Sequence, residues 1–199
     1  MDFINANIDK VFYGEFTKYW FDKIGPIKAL ARMRRSWRKY VAISCWNMSN
    51  EESAALWKLY CGISDGIAIK STVGRLKESV KDEERDIHIG EVCYINYLTD
   101  SIPPSNMLHP FLCKRKSFAY ENELRAVISL PILSYKNEVP KIRYMNGYHV
   151  SIDPSLLIDM IFISPTSPGW FKPLAKSILS KYGLHKEVVR SDLSKNPIF

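Results

Sequence analysis

One stretch constrains this chain more than any other: residues 114–125, Lys-Arg-Lys-Ser-Phe-Ala-Tyr-Glu-Asn-Glu-Leu-Arg, where three cations precede two carboxylates that lead straight into an apolar segment at 124–130. With the backbone extended from Glu121 onward, a period of two turns Glu121, Glu123 and Arg125 to one face and Asn122, Leu124 and Ala126 to the other. Such a charged row is costly to bury, because every ion loses its water and the two carboxylates repel. Two arrangements answer that cost. In one, the row is an edge-strand ladder of ion pairs with Lys114, Arg115 or Lys116. In the other it lines a cleft, where one carboxyl rises in pKa while its neighbour stays ionised near Arg125, which separates proton transfer from charge stabilisation. Glu123, flanked by the other two, takes the central role there.

The remaining pattern is a series of short runs. Residues 40–46 and 66–71 are rich in strand formers, and further strands are expected at 91–98, 124–130, 147–152, 159–164 and 187–191. Between them lie helical spacings. Ser49 with Glu52 three residues on reads as a capping box for a helix carrying Leu56, Trp57 and Tyr60. Ser71 and Thr72 open a second helix through Leu76 and Val80, residues 110–120 read as a third, and a last one begins at Ser167 or Pro168 and stops at Gly183. Pro103 and Pro104 make a stiff loop between strand and helix. Six or seven strands with four or five helices in irregular order predict an α+β fold with a mixed or antiparallel sheet. At 199 residues, that is one domain, with residues 1–39 as a helical leading segment and 40–199 as its core.

Net charge is +7, which favours an anionic partner, either a nucleic acid or an acidic protein. Residues 15–39 read as two helices broken at Gly25-Pro26, the second displaying Lys28, Arg32, Arg34, Arg35, Arg38 and Lys39. Together with Lys114, Arg115 and Lys116 these form the candidate anion-binding set. Ser44, Trp46, Trp57 and Tyr60 form a second constellation, since such rings stack on bases or on a nicotinamide and the hydroxyl can bond a ligand; the same stripe also makes ordinary core. The four cysteines lack close pairing and sit among apolar neighbours, so buried thiols are expected, and the four histidines lack the spacing of metal ligands. Without an export leader or an apolar run near 20 residues, the expected location is the cytoplasm, away from membrane. Phosphate-loop, dinucleotide, zinc-protease and serine-hydrolase motifs are absent from the sequence.

Ser44-Cys-Trp46, Glu52-Ser53, Leu56-Trp57-Lys-Leu-Tyr60, Gly66-Ile-Ala-Ile69, Lys114-Arg-Lys-Ser-Phe118, Glu121-x-Glu123-x-Arg125 and Ile163-x-Pro165 resemble, in order and separation, a bacterial and phage family catalogued as a domain of unknown function. The resemblance covers roughly residues 40–199. Its longer members are similar to ADP-ribosyltransferase-like proteins, in which a glutamate at the start of a later strand orients the ribose and stabilises an oxocarbenium-like state. That implies an ADP-ribosyltransferase-like fold, NAD as donor, a part in phage–host conflict, and Glu123 or Glu121 at the glutamate position. The chain departs from the pattern at its start, where the strand that grips the cofactor in longer members has no counterpart. Two other readings stay open. One is a non-enzymatic basic module that binds nucleic acid or an acidic protein, such as an inhibitor of a host defence; the other is a metal-dependent nuclease built on Glu121 and Glu123.

Overall fold

The computed structural model describes residues 28, 31–32, 35, 37–62, 65–81, 83–102, 106–129 and 147–195. The break at Gly25-Pro26, Arg34, the Lys39 side chain, the Pro103-Pro104 loop and residue 130 lie outside them. The architecture is α+β. Its strands are β1 Val41–Asn47, β2 Ile67–Lys70, β3 Ile87–Glu91, β4 Cys93–Ile95, β5 Cys113–Arg115, β6 Glu123–Ser129, β7 Met160–Ile163 and β8 Glu187–Arg190. Its α-helices are α1 Ala54–Cys61, α2 Val73–Ser79, α3 Pro154–Leu157 and α4 Phe171–Lys181. The chain divides into two compact units, Met1–Ala42 with Ser129–Gly147 and Ile43–Ile128 with Tyr148–Phe199. In the first, the described residues from Lys28 to Trp37 are helical; Arg32, Arg35 and Arg38 are exposed and Trp37 is buried.

The strands sort into three small sheets, ordered β1-β6-β3, β2-β7-β8 and β4-β5. β3 and β6 are antiparallel, with Gly90 opposite Arg125. β2 is antiparallel and β8 parallel to β7, so that sheet is mixed. The β7–β8 crossover runs through α4, whose Phe171, Ala175 and Leu179 close over Ile158, Ile161, Ile163 and Val188. A parallel pair needs such a crossover, and the spacing of those three residues supplies the apolar stripe that buries it. A second core joins Leu76 of α2, Leu157 of α3 and Leu124 of β6, with Trp46, Ile89 and Ala126 packed against them. Gly183 ends α4 at φ 68°, where Leu184 N–H reaches back to the Leu179 carbonyl at 2.9 Å. A side chain there would strain the left-handed turn.

Several sequence expectations are corrected. Residues 91–98 are not one strand: the ladder changes partner at Val92, whose N–H bonds to the Glu123 carbonyl while Cys93 N–H bonds to that of Leu112. Residues 110–120 are not an α-helix but a 3-10 turn His109–Phe111, strand β5, and a 3-10 turn Lys116–Glu121, because pairing with β4 takes the backbone groups a helix would use. Residues 147–152 form no strand. Helix α1 is capped by Ser53, which accepts Leu56 N–H, not by Ser49. Glu52 cannot close a capping box, since its two oxygens accept Trp57 Nε1–H and Asp192 N–H, each at 2.9 Å. Nor are the thiols all buried: Cys45 and Cys93 are exposed, Cys61 and Cys113 half-buried.

Candidate functional site

The charged stretch folds into a four-residue cluster. Lys114, the middle residue of β5, points its ammonium between two carboxylates, bonding Glu121 Oε2 and, at 2.7 Å, Glu123 Oε1. The Arg125 guanidinium takes the other Glu123 oxygen from both Nε and Nη2 at 2.7 Å, and its Nη1 donates to the Phe111 carbonyl at 2.6 Å. Glu121 and Glu123 are both buried, at 5% relative exposure. Burial of paired acids at this level requires such partners, because either carboxylate alone would be left desolvated and uncompensated.

The local backbone explains how the two acids converge. Glu121 is the last residue of a 3-10 turn, not part of the strand, so the expected extended run from 121 is corrected. Asn122 follows in the left-handed region at φ 40°, a conformation asparagine tolerates better than most side chains. Its side-chain amide donates to the Met48 carbonyl, its own carbonyl accepts Met48 N–H at 2.8 Å, and Asn47 Nδ2 donates to the Glu121 carbonyl at 2.6 Å. The end of β1 thereby clamps the corner from which β6 departs. β6 lies between β1 and β3, so the edge-strand ladder is also corrected; the cation comes from β5 of another sheet.

Burial pushes the Glu123 carboxyl up, but the hydrogen bonds it accepts from Lys114 and Arg125 and the charge of Arg125 outweigh it, and the group is held down at about 2. Burial likewise lowers the Lys114 ammonium, and the two carboxylates more than reverse that, leaving it raised. Glu123 is therefore the carboxyl that stays ionised beside Arg125, the charge-stabilising member of the expected pair. A depressed carboxyl contributes stability above its ordinary value and loses it as pH falls through its folded value. Urea midpoints should accordingly decline between about 4.5 and about 2, and Glu123→Gln should flatten that part of the curve. Parallel curves for the two proteins would remove Glu123 as its source.

Of the aromatic constellation, one member borders the cluster. Tyr60, on α1, is 70% exposed. Its hydroxyl is raised first by partial burial and next by the charge of Glu121, with smaller effects from Lys114 and Glu123. Trp57 is buried and tied to Glu52. Trp46 packs with Leu124, on the sheet face opposite Glu123, and its indole N–H donates to Ser44 Oγ on that same side. Cys45, between them, faces the cluster instead: burial and Glu123 raise its thiol, while the Arg125 charge and hydrogen bond lower it by less. The basic run also divides. Lys114 turns inward, Arg115 stacks on the Tyr97 ring at 5.1 Å, and Lys116 is exposed with Asp100 at 3.9 Å.

Two contributors were not singled out in the sequence. Tyr94 lies opposite Lys114 in the β4–β5 register, and its hydroxyl accepts Glu123 N–H at 2.8 Å. Cys45 follows from strand alternation once Trp46 is assigned to the core. Among the described residues, no three His, Cys, Asp or Glu side chains are grouped to hold a metal ion, and no helix is long and apolar enough to cross a membrane. No family model, curated protein or solved structure matches the chain.

Proposed function

We propose that the chain is an ADP-ribosyltransferase-like protein that uses NAD as donor, with Glu123 as the carboxylate that faces the ribose. The observation carrying the reading is the state of Glu123: the first residue of a strand, held as an anion by Lys114 and Arg125. NAD supplies a ribose carbon whose bond to nicotinamide breaks with the electron pair leaving on the nicotinamide nitrogen. A fixed carboxylate beside that carbon accepts hydrogen bonds from the ribose hydroxyls and opposes the positive charge that develops at the transition state. Lys114 and Arg125 orient Glu123 and keep it ionised. In this reading Glu121, which shares Lys114, takes the proton of the incoming nucleophile. The exposed Tyr60 ring is the aromatic surface for the nicotinamide, a task that Trp46, on the other face of the sheet, does not share.

Incubating the chain with NAD and a cell lysate should release nicotinamide and label an acceptor. Glu123→Gln is expected to lower the release by about a hundredfold or more, the scale for loss of one transition-state contact, with circular dichroism unchanged. Undiminished release by a folded Glu123→Gln protein would defeat the assignment.

A further inference from the structure

Beside the buried cluster, the same stretch of chain builds an exposed face with different chemistry. Past the end of β4, Tyr97 is 51% exposed, and the Arg115 guanidinium lies over its ring at 5.1 Å. Lys116 follows at 67% side-chain exposure, with the Asp100 carboxylate at the limit of ion pairing. Along the 3-10 turn, Tyr120 is 57% exposed, whereas the Phe118 ring lies under the Lys114 ammonium at 4.8 Å and belongs to the buried cluster. Two exposed rings, Tyr97 and Tyr120, and two outward cations thus lie at the end of β4 and along β5 and the turn after it, on a chain with net charge +7.

Aromatic rings left in water forgo the burial that usually holds them, so a patch that interleaves them with cations suits a partner carrying flat rings and negative charge together. We infer that this face binds single-stranded nucleic acid, with bases stacking on Tyr97 and Tyr120 and phosphates drawn to Arg115 and Lys116. The Arg115 guanidinium, already held over the Tyr97 ring, loses less freedom when a phosphate arrives, which lowers the ordering cost of binding. A single strand is favoured over a duplex because its bases are free to leave one another for the rings. An acidic protein would answer the charges but leave the rings unused. The inference rests on the transferase reading for its meaning, since the strand would then be the acceptor beside Glu121 and Glu123.

The test is fluorescence anisotropy of labelled oligothymidylate and oligouridylate with the full chain, against a duplex of equal length and over a salt series. Single strands should bind more tightly than duplex, with affinity falling as salt rises. Tyr97→Ala, Tyr120→Ala and Arg115→Ala should each weaken binding roughly tenfold, and because these side chains are exposed, thermal midpoints should hold. No anisotropy change, equal affinity for duplex, or indifference to all three substitutions would overturn the inference. Nicotinamide release is read separately: binding without release removes the transferase reading and leaves this one standing, whereas release without binding does the reverse.

Discussion

Replacing Lys114 with methionine is expected to destabilise the fold by about 3–5 kcal/mol, the range for removing one partner of a buried ion pair. The methylene stem is nearly conserved, so the loss is that of the ammonium. Without it, Glu121 and Glu123 face one another at 5% exposure, and only Arg125 remains to oppose two negative charges. The loss should shrink in acid, because protonation relieves the repulsion: the variant's urea midpoint is expected to rise relative to wild type as pH falls below about 4.5. A midpoint at neutral pH equal to wild type would mean that the cluster does not hold the β5–β6 region together.

Ile163→Ala should cost about 2–5 kcal/mol, as large-to-small changes in closed cores do. Ile163 has no exposed surface. It is in register with Ile67 on one side and Arg190 on the other, and packs with Ile158, Ile161 and Val188 beneath α4. Its partner Ile67 is 49% exposed, so Ile67→Ala, the same chemistry one strand away, should cost about 1 kcal/mol or less. Chemical denaturation of the two variants checks the contrast. Equal losses would show that this central strand is less tightly enclosed than its burial implies.

The sequence reading succeeded where a single element determines the outcome. Strand formers at 40–46, 66–71, 124–130, 159–164 and 187–191 all lie in strands within a residue or two, and Gly183 stops the last helix. It failed where two distant segments decide. Residues 110–120 have helical spacing, yet β4 captures the middle of the run, and nothing local to that segment announces the partner. Glu121 illustrates the same limit within the site: strand alternation placed it beside Glu123, and the actual route is a left-handed corner at Asn122 fastened to Met48, 74 residues away. The membership of the charged cluster was legible because all four residues lie in one short stretch. Which of Lys114, Arg115 and Lys116 meets the acids was not, since the cation that reaches a carboxylate is decided through space, here by the pairing of β5 with β4.

One consequence follows from the change of partner at Val92. Within three residues, Val92 and Tyr94 grasp the Glu123 peptide from both ends, the first through its carbonyl and the second through its N–H. Its main chain is therefore immobilised independently of its side chain. An acid mounted in this way has little freedom to swing toward a developing cation, and whatever it stabilises must come to it.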